Sequence, residues 1–327
     1  MTGSITFPGC DTPFAPLGVG TWAWGDRTTW GMGGYDTSID ESTIGDAFSA
    51  AIDAGVTLFD TAEVYGGGES VRIIGRLLAS SPGVRERLVI ASKFMPSPWK
   101  LDVRSAMRSA AEASLERLGI DRIDLYQIHG PISLRGQSAL AEALAAVHAD
   151  GLVAAVGVSN YSVREMRSIH AALGERGVPL ASNQIEFSPL RRGPETVGLL
   201  AACRQLGVVP LAYSPIGQGR LTGKYSASNP PPGKRNFSAH PMEQVDRIVA
   251  ELRRIGEANG GRTPSQVTLR WIIEKGAVPI PGAKNAEQAT QNAGALGWSL
   301  DPDDAAAIDR VALEGTRSLA NRFWQHG

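Results

Sequence analysis

"FDTAEVYGGGES", residues 59–70, ends an apolar run on an acid, Asp60, then sets a tyrosine, Tyr65, ahead of three glycines. The stretch is a junction. Before it, "VTLFD" (56–60) has the composition of a buried strand, and a helical pattern begins near Glu69 and Ser70. Three readings are open: a phosphate-binding glycine loop, an ordinary turn, or part of a catalytic site. Glycine clusters in such a position are by default loops.

Working outward, the same junction recurs. Apolar, β-rich runs stand at 17–24 (LGVGTWAW), 56–60, 87–94 (RLVIASKF), 123–129 (IDLYQIH), 153–160 (VAAVGVSN), 180–187 (LASNQIEF), 208–216 (VVPLAYSPI) and 276–283 (GAVPIPGA). Helix-like segments lie between them, including 40–54, 103–118, 136–150, 163–176 and 195–206. Gly55, Gly119, Gly151 and Gly207 follow four of these segments, where a helix C-terminus favours glycine. Eight strand–helix units about 30 residues apart suggest a (β/α)8 barrel, a fold of about 250 residues before insertions. A doubly wound sheet gives the same alternation, so the pattern alone leaves both architectures open. The additional length falls in segment 4–14, expected as a capping hairpin; in a Gly/Pro-rich basic loop, 217–240; and in 302–327, expected as a helix and a tail. Nothing in the composition marks a linker, so all 327 residues read as one domain.

Apolar residues make up 43% of the chain and charged residues 20%, the mix of a soluble globular protein with a sizeable core. A formal net charge of −1 provides no basic field for nucleic acid or an anionic membrane. No apolar run approaches the length of a bilayer span. The start, "MTGSITFPGC", has neither a basic segment nor an apolar core, so no secretory signal is expected. Cys10 and Cys203 have no metal-ligand spacing and are expected as free thiols in a reducing compartment, with the cytoplasm as the default.

Several motifs fail on context. "GVGTWA" (18–23) satisfies a dinucleotide fingerprint on paper, but the chain continues into a loop-like segment instead of the helix that must receive the pyrophosphate. "GQGRLTGKY" lacks a glycine at 218, and Tyr225 stands where a Walker loop needs Ser or Thr. "GVSNY" has no second glycine for a nucleophile elbow. No His-Glu-x-x-His pair is present for zinc.

Polar groups at the ends of apolar strands are more informative, because burying one without a partner costs about 1–3 kcal/mol. Asp60, Lys93 and His129 end or nearly end three consecutive strands, and Tyr65 follows the first of these. Each alone has an ordinary reading as a cap, a snorkelling lysine, a core histidine or a packing tyrosine. In a barrel, however, parallel strands end on one face, and the four side chains can share a pocket there. A Schiff-base lysine is the rival use of Lys93; it needs a lowered pKa, and Asp60 nearby is expected to raise it.

The ordered set "LGVGTW", "FDTAEVYG", "IASKF", "DLYQIH", "VGVSNYS", "NQIEFSPL", "AYSPIGQGRLTGKY" and "IPGAKNAEQATQNAGA" resembles the aldo-keto reductases over nearly the whole chain. The resemblance implies a (β/α)8 barrel that binds NADPH/NADP+ without a Rossmann domain and reduces an aldehyde or ketone. It implies Asp60, Tyr65, Lys93 and His129 as the catalytic tetrad. Tyr65 suits proton donation because tyrosine, with an ordinary pKa of about 10, is protonated at neutral pH. His129 would polarise the carbonyl.

The resemblance also implies the cofactor contacts. Gly20, Thr21, Trp22 and Asp60 would border the cofactor, Ser159, Asn160 and Gln184 would bind the nicotinamide carboxamide, and Tyr213 would stack on the ring. Ser214, Pro215, Ile216, Gly217, Gly219 and Lys224 would lie along the pyrophosphate. Gly282, Lys284, Gln288 and Asn292 would meet the adenosine 2′-phosphate end. Many members carry arginine where Gln288 stands; members with Gln there, the potassium-channel β-subunits among them, draw a cation from the loop after the seventh barrel strand, a role open here to Lys234 and Arg235. For substrate, Trp22 and Trp24 are expected beside Tyr65 and His129, with Trp30 and Trp99 further along the open face. Gly130 replaces the larger residue common after the histidine and is expected to leave room beside it. The channel subunits also suggest an alternative, an NADPH-binding redox sensor with little turnover.

Overall fold

The "VTLFD" run does form a strand, and its neighbours decide the architecture. The computed structural model describes residues 3–25, 39–232 and 237–327. Its strands are β1 Ile5–Phe7, β2 Cys10–Phe14, β3 Gly18–Gly20, β4 Leu58–Asp60 and β5 Val89–Phe94. They continue as β6 Ile123–Ile128, β7 Val153–Ser159, β8 Leu180–Glu186, β9 Val209–Tyr213 and β10 Val278–Pro279. β1 and β2 pair antiparallel in the expected hairpin. β3 to β10 are parallel and adjacent in chain order, with helices between them. A doubly wound sheet would reverse its order at a switch point, so this is a (β/α)8 barrel. The seam between its first and last strands is one bridge, Gly20 to Gly282, where Gly20 N–H donates to Pro281 O at 3.0 Å. A Cβ on Gly20 would lie 2.8 Å from Ile280 O, so glycine is what allows the seam to close.

The period-two alternation of the strands sorts side chains into two cores. Val89, Ala91 and Leu125 join Leu58, Ala155, Ala181, Leu211 and Val278 inside the barrel, and Phe7, Cys10 and Phe14 of the hairpin pack against them. Ile90, Phe94, Tyr126 and Ile128 face outward against the helices. Lys93 and Gln127 therefore continue the inward rows one step beyond the apolar plug. Their partner position is fixed by register, since Lys93 lies opposite Gln127.

Helix starts follow local chemistry. Asp40 with Thr43, Ser162 with Glu165 and Thr263 with Gln266 form capping boxes for Glu41–Asp53, Val163–Gly174 and Pro264–Glu274. Three expectations are corrected. The first barrel strand stops at Gly20, because Thr21 and Trp24 enter a turn closed by Trp24 N–H to Thr21 O. The helix expected at 195–206 is broken at Gly198 into Gly193–Thr196 and Leu199–Leu206. The last strand is only Val278–Pro279; Pro279 and Pro281 cannot donate to a ladder. Among the described residues, no helix is long and apolar enough to cross a membrane.

Candidate active site

The strand ends meet on one rim. Asp60 ends β4, Lys93 sits one residue before the end of β5, and His129 follows β6. Tyr65 opens a short 3-10 turn, Tyr65–Gly68, whose three glycines all have positive φ of 57°, 64° and 90°. That left-handed run reverses the chain into the helix Glu69–Ser80. The glycines thus serve geometry, and the polar side chains of the rim, Asp60 and Tyr65, precede them.

Lys93 is fully buried and is the centre of the site. Its Nζ donates to Asp60 Oδ2 at 2.5 Å, to Thr61 O at 2.9 Å and to Tyr65 Oη at 3.3 Å. Three acceptors match the three N–H bonds of an ammonium, whereas a neutral amine has two. Asp60 Oδ1 accepts from Gln184 Nε2 at 2.8 Å and Gln127 Nε2 at 3.4 Å, so both carboxylate oxygens are held by protein donors. Burial lowers the Lys93 pKa, with Asp60 opposing it, so the net direction differs from the rise expected from sequence. The matched acceptors leave Lys93 no free lone pair for a Schiff base. Burial and the Asp60 charge push the Tyr65 phenol well above its ordinary value. Burial and the Lys93 charge hold the His129 imidazole well below its own. The rings of Tyr65 and His129 meet edge-on with centroids 5.7 Å apart. His129 Nδ1 is buried with no hydrogen-bond partner among the described residues.

A second cluster adjoins the first. Asn160 has a positive φ of 65°, unusual for a residue other than glycine. Its Nδ2 donates to Ser159 Oγ and His129 O, and its Oδ1 accepts from Tyr213 Oη at 2.9 Å. Ser159 Oγ donates to Gln184 O. Ser159, Asn160, Gln184 and Tyr213 are thus brought together beside the tetrad. Ser214 (φ 49°) and Gln218 (φ 57°) also have left-handed backbone, within the turn that includes Gly217 and Gly219; Pro215 is buried and Ile216 packs on the core. Lys224 is exposed just beyond this turn. Across the barrel seam, Gly282 O accepts from Asn292 Nδ2, while Lys284 N–H donates to Gln288 Oε1. Lys234, Arg235 and Trp30 lie outside the described residues.

One site expectation is corrected. Trp24 is fully buried, with Nε1 donating to Ala283 O at 2.8 Å, and belongs to the core rather than to a substrate wall. Thr21 is also fully buried, its hydroxyl held between Asp60 O and Ser70 Oγ. Trp22 remains at the rim, 6.4 Å from the Tyr65 ring and 6.1 Å from Phe237. Trp99 is 78% exposed. The room expected beside Gly130 is occupied by Trp324.

Sequence reasoning missed Gln127, Glu186, Arg220, Phe237, Trp324 and Gln325. Gln127 and Glu186 carried the same signal as Asp60, a polar residue late in an apolar strand. Arg220 is buried and donates to the carbonyls of Gly217, Phe237 and Ser238, fastening the two ends of the loop after β9. No local pattern could have brought Trp324 or Gln325 to the rim.

The Aldo/keto reductase family model matches residues 16–313. The chain is 38% identical to the chloroplastic pyridoxal reductase of Arabidopsis thaliana over 95% of its length and 87% of the relative's. A glycerol dehydrogenase from Gluconobacter oxydans superposes with a TM-score of 0.81 at 29% identity, over 97% of this chain and 98% of that one. An aldo-keto reductase from Klebsiella pneumoniae in complex with NADPH gives 0.75 at 27% identity, covering 97% of each chain.

Proposed function

The chain belongs to the aldo/keto reductase family, and from that premise we propose that it reduces an aromatic aldehyde to the alcohol with NADPH as reductant. The observation that carries this reading is the buried Lys93, whose ammonium is shared between Asp60 and the Tyr65 hydroxyl. When bound, NADPH supplies the hydride. Ser159, Asn160 and Gln184 have the amide and hydroxyl chemistry to hold a carboxamide, and Tyr213 offers a ring face. The left-handed backbone at Ser214, Gly217, Gln218 and Gly219 has the conformation that anion-binding turns use. Lys284 supplies a charge for the 2′-phosphate.

Tyr65 carries the proton that the developing alkoxide takes. Its Oη accepts from Lys93 and so keeps its own hydrogen for the substrate, and its raised pKa keeps it protonated at neutral pH. Proton loss leaves a phenolate beside the Lys93 ammonium, which stabilises that charge where it forms. Neutral His129 orients the carbonyl without competing as an acid. Trp22 and Phe237 supply flat apolar walls near Tyr65, suited to a planar aromatic substrate. Pyridoxal is the first candidate, because the 38% identical relative is named for its reduction.

The test follows NADPH consumption with pyridoxal, nitrobenzaldehydes and small aliphatic aldehydes. We expect aromatic aldehydes to turn over, and Tyr65→Phe to lose about 10²–10⁴-fold in rate while still binding NADPH. Equal turnover by Tyr65→Phe would reject the assignment. Tight NADPH binding with no turnover of any carbonyl would favour the sensor alternative.

A further inference from the structure

The segment Trp324–Gly327 returns from the last helices to the mouth of the barrel and fastens onto two residues of the cofactor cluster. Gln325 is 1% exposed, and its Nε2 donates to Glu186 Oε2 and to Tyr213 Oη, both at 2.6 Å. Tyr213 Oη in turn donates to Asn160 Oδ1. The backbone N–H groups of His326 and Gly327 both donate to Asn160 O, at 3.0 and 3.1 Å. The left-handed backbone of Asn160 is what allows its carbonyl to meet this segment while its amide meets Tyr213 and Ser159.

Glu186 anchors the other side. It is 3% exposed, ends β8, and lies opposite Tyr213 of β9 in the parallel register. Gln325 therefore ties together the ends of adjacent strands, through one nitrogen that has a hydrogen for each acceptor. Without it, the Tyr213 hydroxyl keeps, among the described residues, only the Asn160 bond, and Glu186 loses a buried donor. The ring contacts reinforce the placement: Trp324 lies parallel to Tyr213 within 10°, and Phe237 meets it edge-on at 5.5 Å.

We infer that Gln325 is a positioning residue for the nicotinamide end of the cofactor, acting by holding the Tyr213 ring and, through it, the Asn160 amide. The inference rests on the NADPH reading above. A bridge of this kind acts at one end of the dinucleotide only. Lys284, Gln288 and Asn292 stand across the barrel seam, where Gln288 binds Lys284 N–H and Asn285, and Asn292 binds Gly282 O.

The experiment compares two ligands by calorimetry: NADPH, and 2′-phospho-ADP-ribose, which lacks the nicotinamide. Gln325→Ala is expected to weaken NADPH about tenfold and to leave 2′-phospho-ADP-ribose within about twofold, a contrast that global loosening would not produce. Tyr213→Phe should weaken NADPH to a similar extent. The double variant should be little weaker than Tyr213→Phe alone, because either change already removes the Gln325–Tyr213 bond through which Gln325 acts on the ring. Equal weakening of both ligands, no weakening of NADPH, or additive losses in the double variant would each overturn the inference. Wild-type protein that binds 2′-phospho-ADP-ribose and NADPH equally would also overturn it, and wild-type protein that binds neither would overturn the NADPH reading beneath it.

Discussion

Trp324 packs against Gly130, so that a Cβ built on the glycine would lie 3.7 Å from Trp324 Cε3 and 3.8 Å from Trp324 Cβ. The space that a larger residue after His129 would fill comes here from a residue nearly 200 positions later, roughly the span of a whole domain. A methyl group at 3.7 Å is in ordinary contact, so Gly130→Ala should change stability by no more than about 0.5 kcal/mol. Gly130→Trp has no such room and should displace Trp324, raising KM for aromatic aldehydes about tenfold with a smaller change in kcat. Steady-state kinetics decide it; an unchanged KM for Gly130→Trp would mean that Trp324 does not shape this space.

The Asp60–Lys93 pair makes an asymmetric prediction. Lys93→Met strands a carboxylate that is 2% exposed, and removing one partner of a buried pair costs about 3–5 kcal/mol. Asp60→Asn combined with Lys93→Met should recover most of that loss in urea unfolding while activity stays absent. A single variant as stable as the wild type would contradict a buried charge pair.

His129 makes the fold sensitive to acid. Its folded pKa lies below the ordinary 6.5, so below that pH the unfolded chain binds the extra proton first and stability falls as pH falls. His240 is shifted in the same direction by its own burial, so His129→Gln should flatten only part of the slope below about pH 6.5. Unfolding free energies measured across that range would show the same slope in both proteins if His129 titrated in the fold as it does in the unfolded chain.

Lys284 stands at the turn before the helix Ala286–Ala293, whose N-cap is Asn285. A phosphate there gains a charge-assisted contact that a hydroxyl lacks. Lys284→Ala should therefore weaken NADPH by about tenfold and NADH little. Fluorescence titration checks it, and equal losses for the two cofactors would remove Lys284 from 2′-phosphate recognition.

The barrel and the tetrad were legible because both are written locally. Each strand is an apolar run and each helix an amphipathic one, and the eightfold alternation constrains where strand ends gather. Asp60, Lys93 and His129 stood out as polar residues at the ends of such runs. Trp22 and Trp24 looked equivalent in sequence, yet one lies at the rim and the other donates to Ala283 O in the core. Their difference arises from the turn after Gly20, which no periodicity encodes.

The sequence by itself determined the strand–helix alternation, the resemblance that names the fold, and the four side chains of the rim. These depend on residue type and on spacing within about 30 positions. Only the tertiary structure decided that Lys93 has an acceptor for every hydrogen, that Thr21 is sealed behind Ser70, and that Gln325 reaches Glu186 and Tyr213. Those facts depend on how distant segments pack. The return of residues 324–327 over the barrel mouth is a property of the closed fold, where a buried polar group must find its partner wherever the chain supplies one.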